Sequence, residues 1–123
     1  MTVYIANAFS INMLSKYPST VVIDKIDDYE EFCGILENAQ DSNELVSAIG
    51  HEATARMVNE MCQALEYEVD VKANRVQVKL SAGDRLLVVQ VLERLPEGKV
   101  LSYEEISEML AQKKIGFFDV IVQ

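Results

Sequence analysis

The sequence holds a single histidine, His51, two cysteines, Cys33 and Cys62, and no tryptophan. Any imidazole chemistry is therefore His51 chemistry, once per chain, and a metal site built from histidines alone cannot form within one copy. Two cysteines exclude a disulfide framework and a thiolate-rich zinc site. Set among apolar residues at helical spacing, they are expected to be buried and free in a reducing compartment. Basic residues are scarce: 11 Lys and Arg stand against 20 Asp and Glu, a net charge of −9. That balance excludes a general nucleic-acid coat and a membrane-surface protein, both of which need positive fields, so neither DNA nor membrane is an expected partner. A small anion held by a few local cations stays compatible, because charges beyond ~10 Å are screened. No apolar run approaches the ~20 residues of a membrane span. The N-terminus lacks a basic region followed by an apolar one, so a cytoplasmic location is expected. There is no Walker loop, glycine-rich dinucleotide fingerprint, HExxH or nucleophile elbow, and no cofactor is expected.

What is present is one domain's worth of chain, residues 1–123, half of it hydrophobic and a quarter charged. No repeat and no Pro/Gly/Ser-rich linker divides it. Strand and helix patterns alternate. Thr2–Asn7 and the β-branched Thr20–Asp24 read as strands, with Ser10 capping a helical turn between them. Asp27 with Glu30 three residues later opens a helix whose stripe is Phe32, Ile35, Leu36 and Ala39. Asp41 and Glu44 open a short second helix through Leu45, Ala48 and Ile49, with Gly50 as its terminating glycine. A third helix starts at His51 and buries Val58, Met61, Cys62 and Leu65. Arg75–Leu80 alternates strictly and reads as a half-buried strand, hairpinned to the apolar strand Arg85–Leu92. Ser102 and Glu105 form a capping box for the next helix, and Gly116–Val122 is the last strand. The expected class is α/β of the mixed α+β kind: a five-stranded mixed sheet with helices packed on it.

Four features stand out from a plain packed domain. Gly50 allows a sharp turn that sets His51 at a helix start, where free N–H groups favour an anion and the imidazole could donate a proton to its leaving oxygen. The helix dipole disfavours imidazolium there, and a bound phosphate would favour it. The plain alternative is a capping or partly exposed histidine. Gln90 interrupts an apolar strand and shares a face with Arg94 just beyond its end. Arg94 could stabilise charge on a phosphate and Glu97 could orient its guanidinium, or the two form a surface ion pair beside a turn. Asn7 and Ser10 follow the first strand, where ligands of α/β sheets bind, or they form a turn and a cap. Arg75 opens a strand as a phosphate contact, or is a solvated strand residue.

The blocks Asn7-Ala8-Phe9-Ser10-Ile11-Asn12-Met13-Leu14, Val22-Ile23-Asp24-Lys25-Ile26, Ile49-Gly50-His51, Asn74-Arg75-Val76 and Arg94-Leu95 with Glu97-Gly98-Lys99 resemble, in the same order and over nearly the whole chain, the anti-CRISPR ring nucleases of archaeal viruses, phages and mobile elements. The resemblance implies a metal-independent homodimer that binds cyclic tetra-adenylate on its two-fold axis. It implies cleavage of that messenger to linear di-adenylate, silencing type III CRISPR ancillary nucleases. By position it makes His51 the catalytic general acid, Arg94 the transition-state arginine and Glu97 its acidic partner. Asn7, Ser10, Gly50, Arg75 and Gln90 then lie at the ligand. The sequence departs from the family pattern at Glu52-Ala53-Thr54, where relatives have Asp-Ser-Thr, at Glu93, where relatives have Gln, and in a longer stretch from Gln63 to Ala73. The lost hydroxyl at Ala53 and the added charge at Glu93 motivate an alternative, a module that sequesters a cyclic oligoadenylate without cutting it. The charge of −9 motivates another, an acidic module that binds a protein.

Overall fold

A computed structural model describes all of residues 1–123. The strands are β1 (Val3–Ala6), β2 (Val21–Ile26), β3 (Leu45–Ser47), β4 (Arg85–Val91) and β5 (Ile115–Val122), and the helices are α1 (Tyr29–Asp41), α2 (Glu52–Ala64) and α3 (Tyr103–Ala111). A single 3-10 turn, Ile11–Met13, follows β1. The five strands form one mixed sheet in the order β2-β5-β4-β1-β3. β1 runs parallel to β3 and to β4, whereas β5 runs antiparallel to both β4 and β2.

β4 explains the longest apolar run of the chain. Leu87 and Val89 face the three helices, while Leu86 and Val88 face the other side, and all four are buried. A strand covered on both faces needs no polar alternation. On the helical face, Phe32 and Leu36 of α1, Val58 and Met61 of α2 and Ile106 of α3 pack against Ile5, Leu87 and Phe117. The Phe32 and Phe117 rings lie 4.7 Å apart, within the range of favourable aromatic pairs. The opposite face carries no helix. Leu14, Val78 and Leu80 come from irregular segments and cover Leu86, Val88, Val120 and Val122 there. Arg85 and Asp119 join β4 to β5 by a two-pronged ion pair, with Nε donating to Oδ1 at 2.7 Å. That hydrogen bond raises the arginine above its ordinary pKa.

The expected mixed sheet of five strands is present, but its membership differs. Arg75–Leu80 is not a strand, and no hairpin joins it to β4; its one ladder contact is the isolated bridge between Leu14 and Leu80. Its alternation is real, since Val78 and Leu80 are buried while Gln77 and Lys79 are exposed. It reports one-sided burial across the sheet face, which strand pairing and face-covering produce alike. The fifth strand is β3, taken from the segment expected to be a helix. Leu45, Ala48 and Ile49 fit a helical stripe, yet Val3, Tyr4 and Ile5 pair with Leu45, Val46 and Ser47 and decide the conformation. Gly50 is thus a strand-to-helix connector and not a terminating glycine.

Smaller corrections concern α1 and the cysteines. Asp28, not Asp27, caps α1, its carboxylate accepting from the Glu30 N–H at 2.9 Å. Two adjacent aspartates leave the register ambiguous by one in the sequence. Cys33 of α1 and Cys62 of α2 are fully buried as expected, but they are joined in a disulfide rather than free. The two helices bring Cα atoms 29 residues apart to 5.3 Å, a distance that suits the bridge. The capping boundaries at Ser10 and at Ser102 with Glu105 are as the sequence indicates.

Candidate functional site

The parallel relation of β3, β1 and β4 puts their carboxyl ends on one edge of the sheet. The residues that leave those ends are therefore neighbours whatever their separation in the chain. Asn7 follows β1, the Ala48–Gly50 connector delivers His51 after β3, and Gln90 lies near the end of β4. This is the edge where ligands of α/β sheets bind.

A cavity of about 290 Å³ opens there. Asn7, His51 and Gln90 line it with Thr54, Leu95, Lys99 and the apolar residues Val89, Leu101, Ile106 and Ile115. An apolar floor with a few convergent polar groups is the usual make-up of a small-molecule site, and the volume sits at the low end of the usual range of about 300–1,000 Å³. His51 is the N-cap residue of α2 and makes no side-chain cap bond. Of the two plain roles, a capping side chain is not what the imidazole does, and a partly exposed histidine is what it is. Thr54, one turn further on, is buried and makes no side-chain hydrogen bond within the chain, although its hydroxyl is not sealed away from solvent.

A second hollow meets the first at Asn7. Ser10, Asn12, Met13, Ala48 and Val76 line it on the helix-free side of the sheet. The Ser10 hydroxyl accepts from the Asn12 N–H at 3.3 Å, which holds the turn after β1 in place. Arg75 lines neither hollow, and it comes beside the β3–α2 connector by an unexpected route. Asn74 donates its backbone N–H to the Ile49 carbonyl at 2.8 Å and its side-chain amide to the Ser47 carbonyl at 2.9 Å. These bonds stitch the irregular segment to the β3–α2 connector. The aliphatic stem of Arg75 then lies 4.0 Å from where a Cβ on Gly50 would stand.

The structure does not bring Arg94 and Glu97 together. Both are exposed on the loop between β4 and α3, neither lines the cavity, and Arg94 makes no ion pair within the chain. Glu93 pairs instead with Lys114 at 3.5 Å. The loop is organised by a turn in which the Lys99 N–H donates to the Pro96 carbonyl at 3.1 Å, with Gly98 at φ +76° in its third position. Lys99, Thr54 and Asn12 are site residues that inspection of motifs passes over. Thr54 was accessible from the helical period, being three residues after His51 and so on its side of α2. No three His, Cys, Asp or Glu side chains gather in a geometry that would hold a metal ion.

Residues 3–117 match the family described as STIV B116-like. The chain belongs to that family. It is 44% identical over 115 residues to protein ORF116 of Acidianus filamentous virus 1 (isolate United States/Yellowstone), covering 94% of this chain and 90% of that one. It is 37% identical over 92 residues to protein 26 of Sulfolobus islandicus filamentous virus (isolate Iceland/Hveragerdi), covering 75% and 70%. Among solved structures, B116 of Sulfolobus turreted icosahedral virus superposes with a TM-score of 0.78 at 44% identity, over 98% of this chain and 99% of that one. The STIV B116-like fold is therefore the fold of this chain, and its relatives are proteins of archaeal viruses. No helix is long and apolar enough to cross a membrane.

Proposed function

We propose that this STIV B116-like protein is a metal-independent ring nuclease that cleaves cyclic tetra-adenylate to linear di-adenylate and so switches off type III CRISPR ancillary effectors. The observation that carries the reading is the placement of His51. It stands at the start of α2 without a side-chain cap bond and lines one cavity with Asn7, Thr54 and Gln90, at the carboxyl edge of parallel strands. In the proposed reaction a ribose 2′-oxygen bonds to its adjacent phosphorus, the bond to the 5′-oxygen breaks, and a 2′,3′-cyclic phosphate remains. The nucleophile's proton passes to solvent and His51 protonates the departing 5′-oxygen, a contribution of roughly 10²–10⁴ in rate. Holding the 2′-oxygen in line is the other large term. Arg94 neutralises charge on the non-bridging oxygens and Glu97 orients it, which requires the loop to move toward the cavity from its present position.

The cavity takes a portion of a four-nucleotide ring, not the whole of it. The reading therefore includes a homodimer in which a two-fold ring meets two His51 side chains on opposite phosphates, giving two identical halves. Cleavage of labelled cyclic tetra-adenylate under single-turnover conditions, beside His51→Ala, tests it. A second reading, capture of the ring without cleavage, is favoured by the exposed, unpaired position of Arg94. It predicts tight binding with no product over hours.

A further inference from the structure

Lys99 has two relations that no other residue of the site combines. It lines the cavity with His51, Thr54 and Gln90. Its ammonium also lies 2.9 Å from a carboxylate oxygen of Glu105. Glu105 is held in turn by α3. One carboxylate oxygen accepts from the Ser102 N–H at 3.0 Å, and the Ser102 hydroxyl accepts from the Glu105 N–H at 3.2 Å, the two halves of a capping box. The turn closed by the Lys99 N–H on the Pro96 carbonyl brings the lysine to the cavity rim. The side chain thus runs from a turn at its backbone to a helix cap at its ammonium.

We propose that Lys99 is an anion-binding residue of this site, parked on the capping-box carboxylate of Glu105 and transferred to a ligand phosphate when one enters the cavity. The inference rests on the nucleotide reading above and adds to it a cation and its resting partner. Both side chains are about 40% exposed, and an ion pair of that kind is weak enough for a phosphate to displace. Each phosphodiester of the ring carries one negative charge, as the carboxylate does, and its neighbouring phosphates add to the field at the lysine. Glu105 loses nothing essential in the exchange, because its bond to Ser102 persists. Its carboxyl pKa is already held below the ordinary value, first by that backbone hydrogen bond and then by Lys99.

The test has two arms, both on the full chain. In the first, inorganic tripolyphosphate is titrated into uniformly ¹⁵N-labelled protein and the amide shifts of Thr54, Gln90 and Lys99 are followed. Saturable shifts are expected in the wild type, with affinity reduced roughly tenfold in Lys99→Gln and retained in Lys99→Arg. Glu105→Gln keeps a capping-box residue while removing the charge. It is expected to tighten binding roughly 1.5- to fivefold in the wild type, and not when Lys99 is already Gln. No shift at these amides, or equal affinity in wild type and Lys99→Gln, overturns the inference, and an unchanged affinity in Glu105→Gln overturns the exchange. The second arm repeats the series with cyclic tetra-adenylate in the His51→Ala background. Binding of tripolyphosphate without binding of the ring rejects the nucleotide reading and leaves Lys99 established as an anion site.

Discussion

Reducing the bridge between Cys33 and Cys62 is expected to lower stability by an amount the structure sets. The two residues are separated by 29 positions, and the bridge joins α1 to α2 beneath the sheet. In the chain-entropy account, closing a loop of that length in the unfolded chain stabilises the folded protein by about 3.6 kcal/mol at 25 °C. For a chain of 123 residues the unfolding entropy is about 0.26 kcal/mol/K. The midpoint of thermal unfolding should therefore fall by roughly 14 °C. The assay is unfolding by heat and by guanidinium chloride, with and without a phosphine reductant, followed by circular dichroism on the same preparation. Thiol titration of the unreduced, denatured protein should find no free cysteine. Superimposable unfolding curves, or two free thiols per chain, would refute the reasoning.

Other changes probe separate parts of the account. Asp119→Ala leaves the Arg85 guanidinium without its partner. Because the Arg85 side chain is 27% exposed, the destabilisation should be about 2 kcal/mol in a urea titration, below the 3–5 kcal/mol of a sealed pair. One residue past the C-cap of each helix the chain takes positive φ, at Asn43, Glu66 and Lys113 with 59°, 68° and 60°. Glu66→Gly and Lys113→Gly should each raise stability by about 0.5–1 kcal/mol, whereas Asn43→Gly should change little, because asparagine tolerates that conformation. Glu105 has a depressed carboxyl pKa, through the Ser102 hydrogen bond first and Lys99 second. A depressed acid contributes stability that is complete above its unfolded pKa, about 4.3, and disappears as pH falls through the folded value. Thermal melts between pH 6 and pH 2 should therefore show a steeper acid limb in the wild type than in Glu105→Gln, and parallel limbs would count against the capping role.

Much of this architecture was legible in the residues, and what was not has physical causes. Strong local signals carried through: the capping box at Ser102 and Glu105, the turn capped by Ser10, and the apolar stripe of α2. Where two structures share one pattern, the sequence could not choose. Leu45–Ser47 and Arg75–Leu80 exchanged roles because a three-residue pairing with β1, and coverage of a sheet face, are decided by partners distant in the chain. The cysteine pair was hidden for the same reason, as nothing in a spacing of 29 announces that two helices will meet. Within the site, His51, Asn7 and Gln90 come together because parallel strands end on one edge. Arg75 reaches that edge through the Asn74 bonds rather than through a strand. The spacing of Arg94 and Glu97 suggests a pair, yet the two are separate, since an exposed loop gives neither a packed neighbour to fix it.

The central claim is that His51 is the proton donor of a ring-opening phosphodiester cleavage. The most direct measurement is single-turnover conversion of radiolabelled cyclic tetra-adenylate in EDTA, with wild type beside His51→Ala. The account predicts di-adenylate carrying a 2′,3′-cyclic phosphate from the wild type, and a loss of roughly 10²–10⁴ in rate in the variant with binding retained. Equal turnover by both proteins would contradict the role of His51, and no product from either would contradict the proposed activity itself.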